Sequence, residues 1–499
     1  MDATRSWLDS FTAMFQALEL NAPAITLDSL PAVLLPEVVR WLPSPLDVAR
    51  LDCTSRLFHV GAPRSAVEEG LRLRAEVAGR AVEAALPAGE TSWAQCLLWE
   101  ERRLLLLCAP PPVASSGVKH SAFVDASGQL LTCGNDTALG VLGQGEGVLE
   151  SMAPRAVAGL EGVRIRTVAT GILHTLACSD EGIAYSFGLC EDGQLGHNYR
   201  ANQHSPRVIE ALQGVRISTV TAGAHFSLAL SYAGKVYSFG YGGHGRLGHG
   251  DTSDQHTPRL IATLQGSRIL AVAAGGIHSL ALGEAGEVFS FGSGRGGKLG
   301  HGDHEDQHTP RLIAGLQGVP VGSLAAGVLH SLVVSTAGGL YSFGMSEYGA
   351  LGHYGQYGHY GHYRHHHILQ HTPRLVGTLL GVRVSAVAAG LHHSLALSES
   401  GDVYSFGSSY LGQLGHGNAA AQRTPRMIAG LSGMRVCSIS AGRFTSLAVT
   451  TDEEVYGWGC GVYVHETDDG GADPVLGLGL TEHQRVPSKY PELRLRLHI

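Results

Sequence analysis

The chain is expected to be mainly β: a seven-bladed β-propeller of four-stranded blades, preceded by a small α-helical domain. Three observations carry that expectation. The tetrapeptide Tyr-Ser-Phe-Gly, or a worn copy of it, recurs with its glycine at 134, 188, 240, 292, 344, 407 and 459, so that every step is 52 or 54 residues except the one from 344 to 407. Self-similarity at a fixed period sets architecture before any local reading does. Within each copy, short apolar segments alternate with glycine-bearing turns and show no helical period, which reads as strands joined by hairpins. The chain then ends in the alternating segment Leu493 to Leu497, placed where the first strand of a further repeat would fall, so the ring is expected to close by pairing it with the first blade.

Taken in order, residues 1–29 hold Trp7, Leu8, Phe11, Met14, Phe15 and Leu18 at helical spacing, one amphipathic helix. Residues 30–109 follow as a helical domain. In it Leu34, Leu35, Val38 and Leu42 share one face, Pro43-Ser44-Pro45 breaks the helix, and Leu46, Val48, Ala49 and Cys53 begin the next. Segments 71–85 and 93–107 read as further helices. A proline-rich junction at 110–117 leads into the propeller, residues 110–499. The copy beginning at Arg383 shows the repeat cleanly: Val384 to Ala389, Ser394 to Ser398 and Val403 to Phe406 are three strands. Thr424-Pro425-Arg426-Met427-Ile428 offers a fourth, whose proline suits an outer edge.

Composition narrows the function. Charged residues are 16% and glycines number 68, so turns dominate over helices, and the net charge of -8 is spread along the chain without a basic tail or stripe. That argues against nucleic-acid binding. The eight cysteines form no CxxC and no framework spacing, which suits small buried hydrophobes in a reducing compartment. The amino terminus lacks a signal layout and no apolar run approaches the roughly 20 residues of a membrane span. A cytoplasmic or nuclear location with no membrane contact is therefore expected.

The recurring pattern AGxxHSLALSxxGxVYSFGxxxxGQLGHGxxxxxxTPRLI resembles the repeats of the regulator of chromosome condensation family, over about Ser116 to Ile499. The resemblance implies a seven-bladed propeller. The family includes a guanine-nucleotide exchange factor for a small GTPase, a plant ultraviolet-B photoreceptor and many interaction modules, so the fold alone selects no function. Light sensing by clustered tryptophans is disfavoured, since Trp458 stands alone in the ring. A wedge hairpin and a basic tail, which the exchange factor carries, have no counterpart here. The earlier stretch LPAVLLPEVVRWLPSPLDVARLDCTSRLF resembles an F-box over Leu30 to Phe58, with Pro36 as a departure. That resemblance implies docking on a Skp-type adaptor of a cullin-type ubiquitin ligase through Leu30, Pro31, Leu34, Leu35, Val38, Leu42, Leu46 and Val48, with an unknown protein target on the propeller.

The repeat provides its own control for chemistry, because a catalytic residue should be singular and a scaffold residue should recur. His120, His174, His278, His330 and His393 share one slot with Phe226 and Thr445. His197, His249, His301, His353 and His416 share another, and Arg155, Arg207, Arg259, Arg311, Arg374 and Arg426 each follow a proline. These read as scaffold, the first histidines pairing with neighbouring backbone. Nucleophile elbows, phosphate loops and HExxH motifs are absent, so neither an enzyme nor a cofactor is expected. The repeat breaks in two places. The fifth copy carries eleven additional residues between His353 and Pro373, whose glycine density reads as a projecting loop offering Tyr357, His359, Tyr360, His362, Tyr363, Arg364, His365 and His366 to a partner. Its histidines have no fixed metal geometry. The last copy carries about ten extra residues around Glu466 to Pro474, acidic in character and expected to be a loose loop. The sequence thus points to a non-enzymatic interaction module, with a regulator of a small GTPase and a plain scaffold as alternatives.

Overall fold

The computed structural model describes residues 113–353, 368–464 and 472–496, apart from 137, 475, 477 and 479–481. These fall in one compact unit, residues 106–499. The helical expectations for residues 1–109 lie outside the described residues.

Seven antiparallel four-stranded sheets follow one another in chain order, each with sequential strand order from the innermost strand outward. Blade 5 is representative: Val321–Ala326 is innermost, His330–Ser335 second, Leu340–Ser346 third and Ile368–Leu375 outermost. Its second and third strands pair His330 with Gly344 and Val334 with Leu340. The outermost strand pairs Arg374 with Ser342 and Gln370 with Gly344, and the register shifts between those two pairs. Pro373, which has no N–H to give, falls within that interruption.

Each residue of the tetrapeptide has a separate task at the seam between blades. The glycine lies opposite the start of the second strand with φ between 107° and 127° in all seven blades. At Gly344 a Cβ would stand 2.6 Å from the Leu329 oxygen and 2.7 Å from the His330 Cα, so only glycine lets the two strands approach. The phenylalanine, fully buried as Phe187, Phe239, Phe291, Phe343 and Phe406, is a knob seated on a glycine of the preceding blade. Those glycines are Gly143, Gly196, Gly248, Gly300 and Gly352, where a Cβ would lie 2.7–3.2 Å from the ring. Each such burial stabilises by roughly 1.5–3 kcal/mol. The serine donates to a leucine carbonyl in the loop before the outermost strand, as Ser342 Oγ to Leu351 O at 2.7 Å. The worn copies keep these tasks with other atoms. Thr132 donates to Leu142 O in blade 1. In blade 7, which has Gly457 in place of serine, the Tyr490 hydroxyl donates to Leu476 O, and its ring fills the space a Cβ at Gly457 would enter.

The ring closes, though by another route than a strand over Leu493 to Leu497. Blade 1 already has its own innermost strand, Ala114–Ser116, and blade 7 keeps Gln484–Arg494 as its outermost one. No strand position is left vacant in blade 1. Leu495 makes an isolated antiparallel bridge to Asp125, and Arg496 donates its N–H to Val124 O at 3.2 Å. Closure on the inside runs from Arg443 N–H to Gly117 O at 3.2 Å and between the Ser116 and Thr445 hydroxyls at 2.5 Å. At the edges of the acidic extension of blade 7, Val462–Val464 pairs antiparallel with Ala472–Pro474, while residues 465–471 lie outside the described residues.

Candidate functional site

The recurring histidines are structural, with partners other than the expected backbone. His120, His174, His278, His330 and His393 are fully buried, and each places Nε2 at 2.7–3.0 Å from a hydroxyl of the next blade: Thr175, Ser227, Ser331, Ser394 and Ser446. Those hydroxyls give their own proton to a carbonyl, as Ser394 does to Ala350 O at 2.7 Å, so the histidine Nε2–H is the donor. Burial holds His120 down to about 4 and His174, His330 and His393 to about 3, so the rings are neutral. The second set, His197, His249, His301, His353 and His416, bonds the tetrapeptide serines at 2.8–2.9 Å, and burial likewise lowers each to about 4. In blade 1 Gln144 Nε2 replaces that histidine, reaching Thr132 Oγ1 at 3.0 Å. Of the proline-following arginines, Arg207, Arg259 and Arg311 pair with Glu210, Asp251 and Asp303 of their own repeat.

What does not recur gathers on one face. The turns between innermost and second strands and the loops between third and outermost strands emerge together, around the mouth of the central channel, because His330 lies opposite Gly344 and its equivalents do the same. The mouth is a cavity of about 370 Å³ lined by the seven Ala-Gly-type turns. The residue after each glycine is Val118, Ile172, Ala224, Gly276, Val328, Leu391 and, in blade 7 only, Arg443. Arg443 is the one charged residue among those lining the cavity.

The loops behind these turns hold two buried cations where blades 2 and 6 have Gln194 and Gln413. Arg246, 3% exposed, stacks its guanidinium 4.7 Å over Tyr241 and 5.9 Å over Phe226, donates from Nε to Gly243 O at 2.8 Å, and reaches Gly276 O at 3.5 Å. Phe226 stands in the histidine slot of that blade, so the exception in one repeated position serves the exception in another. Lys298 is 1% exposed, and burial lowers its ammonium to about 8. Exposed aromatics crown the same loops: Tyr241, Tyr348, packed edge-on against His392 at 5.5 Å, and Tyr410, 78% exposed. The opposite face is occupied with its own ion pairs, among them Arg164 and Arg496 with Asp180, Arg383 with Glu399, and Lys489 with Glu454.

The eight residues from Leu30 to Val48 expected to dock on an adaptor, and the insert residues from Tyr357 to His366, lie outside the described residues. The insert's flanks do not: His353 follows the third strand of blade 5 and Ile368 begins its outermost strand, both at the channel-mouth end. Arg443, Arg246, Lys298 and the tyrosines escaped the sequence reading. The residue after each Ala-Gly turn, compared across the copies, singles out Arg443. Among the described residues there is no cluster of three metal-binding side chains and no helix long and apolar enough to cross a membrane, and Cys133, Cys178, Cys190, Cys437 and Cys460 are thiols in no disulfide. Trp458 is buried, with Nε1 donating to Gln413 O at 2.9 Å.

Comparison with known proteins covers this same region. An RCC1-like domain profile matches residues 112–357, and profiles of the regulator of chromosome condensation (RCC1) repeat match 337–397 and 400–449, and 384–413 and 436–463. The ultraviolet-B receptor UVR8 of Arabidopsis thaliana is 38% identical over 297 residues, covering 59% of this chain and 65% of the receptor. The human E3 ubiquitin-protein ligase HERC2 is 37% identical over 341 residues, 68% of this chain and 7% of the ligase. The chain thus spans less than two thirds of either relative. Among solved structures, Prp20p from Saccharomyces cerevisiae, described with its binding to Gsp1p and histones, superposes with a TM-score of 0.61 at 25% identity, over 79% of this chain and 89% of that one.

Proposed function

Because this chain belongs, over residues 112–463, to the family of regulator of chromosome condensation (RCC1) repeats, we propose that it is a non-enzymatic protein-interaction module whose channel-mouth face holds a protein target. One observation carries this reading: the singular residues, the exposed tyrosines and the flanks of both departures from the repeat length all belong to that face. Tyrosine and arginine are the residue types in which binding energy concentrates at interfaces. The F-box resemblance of Leu30 to Phe58 supports the fuller proposal of a substrate receptor, the head docking a Skp-type adaptor and the propeller presenting the target.

Affinity capture with the full chain and with residues 110–499, followed by reconstitution with each purified candidate, tests both parts. Tyr410→Ala is expected to weaken the target at least tenfold without altering adaptor binding. Leu34→Ala with Leu35→Ala is expected to abolish adaptor binding while the propeller stays folded. A target indifferent to Tyr410 and sensitive to Arg383→Ala on the other face would reverse the choice of face. Absence of adaptor affinity in the intact protein would reduce Leu30 to Phe58 to a structural hairpin.

A second reading, regulation of a small GTPase, draws on the likeness to Prp20p. Exchange demands tighter binding to the nucleotide-free form than to the loaded one, and the strict 52-residue step through Gly188, Gly240 and Gly292 leaves no additional hairpin there to supply such a preference. Fluorescent-nucleotide release from a Ran-type GTPase is expected to stay unaccelerated; a tenfold rise at micromolar protein would promote this reading.

A further inference from the structure

Arg443 is out of place in two respects. At its position the other six blades have an aliphatic residue or glycine, and the seven turns from 117–119 to 442–444 contain no Asp or Glu. Its guanidinium lies 5.2 Å over Phe444, and no carboxylate among the described residues is within ion-pair distance of it. Its N–H is bound to Gly117 O across the closing seam, so the backbone that carries it is fixed. Around it the cavity wall is formed by the half-buried aliphatic side chains of Val118, Ile172, Ile277, Val328 and Leu391. A fork of donors at the rim of an apolar socket matches a carboxylate on an aliphatic stem. The volume, about 370 Å³, is near the lower end of roughly 300–1,000 Å³ for ligand pockets. A socket on the axis of a closed ring admits a chain end more readily than a chain that must enter and leave through one mouth.

We infer that the channel mouth is a socket for the free carboxy-terminal end of a partner polypeptide, the terminal carboxylate pairing with Arg443 and an aliphatic last side chain seating among Val118, Ile172, Ile277, Val328 and Leu391. This rests on the assignment of the channel-mouth face as the binding face and adds the chemistry recognised there. The cavity makes no demand on the sequence of the partner beyond its last one or two residues, so the contact is an anchor, and the exposed tyrosines supply the wider surface.

The test uses the full chain and amino-terminally dye-labelled heptapeptides in fluorescence anisotropy. One ends in Ala-Val-Leu with a free carboxylate, one is the same peptide amidated, and one is amidated with an internal glutamate. The free acid is expected to bind at least tenfold more tightly than both amides. Arg443→Leu is expected to remove that difference with an unchanged melting temperature, because blade 6 already has leucine at this position; Arg443→Lys, which keeps the charge and loses the fork, is expected to fall between. Equal binding of acid and amide, no binding of the acid, or indifference to Arg443→Leu would each overturn the inference. The internal-glutamate peptide binding as tightly as the free acid would also overturn it. If the peptides fail while Tyr410→Ala still weakens a captured target, the binding face stands and only the socket falls.

Discussion

The seams between blades and the turns at the channel mouth are built from the same repeat, yet they treat its variation in opposite ways. At the seams an exception is compensated: Gln144 stands in for histidine, Tyr490 reaches into the space at Gly457, and Phe226 supplies a ring face to Arg246. Two exceptions at the mouth have no such counterpart. Arg443 replaces an aliphatic residue with no acid beside it, and Tyr410 stands in solvent. A compensated exception marks a position needed for folding, whereas an uncompensated one marks a position free to serve something outside the chain.

The largest effect expected from this contrast is on acid stability. The five fully buried slot histidines are neutral when folded and ordinary, near 6.5, when unfolded, so between those values the unfolded chain binds more protons and stability is lost as pH falls from about 6.5 towards 4. Each contributes on the order of 1 kcal/mol per pH unit once the pH is well below 6.5, so the five together amount to several kcal/mol per unit. Denaturant titrations at half-unit pH steps should show a steep collapse below pH 6, and a flat profile from pH 7 to 5 would break the assignment of neutral rings. Next in size, Gly344→Ala forces a Cβ onto backbone at a φ of 115° and should cost about 3 kcal/mol or more. Gly266→Ala, with nothing within 4 Å, should change stability by less than about 0.5 kcal/mol in the same chemical unfolding experiment.

Lys298→Gln restores the residue that blades 2 and 6 have and removes a buried ammonium. Its folded value of about 8, against 10.5 ordinarily, means the charged form burdens the fold below pH 8, so the variant should be more stable by roughly 1–3 kcal/mol at pH 7. The advantage should shrink as pH rises through 8 to 10.5, where the native lysine loses its charge; a pH-independent difference would assign the gain to packing instead. Smallest of all is Arg443→Leu, expected within about 0.5 kcal/mol of the native protein by thermal melt. A loss of several kcal/mol would place Arg443 among the structural residues and erase the distinction between seam and mouth.

By itself the sequence determined the number of blades, their four strands, the glycines of the third strands and the position in the chain where the repeat is interrupted. All of these are properties of one period, and a period is visible along the chain. The tertiary structure decided that His174 bonds Ser227, 53 residues away, rather than backbone, that the carboxy-terminal strand completes blade 7 instead of opening blade 1, and that Arg443 faces the channel. The histidine contact crosses the seam between neighbouring blades, and the other two follow from where the ring closes. Closure is a single global event with no periodic trace, so residues that meet only through it carry no local sign of one another.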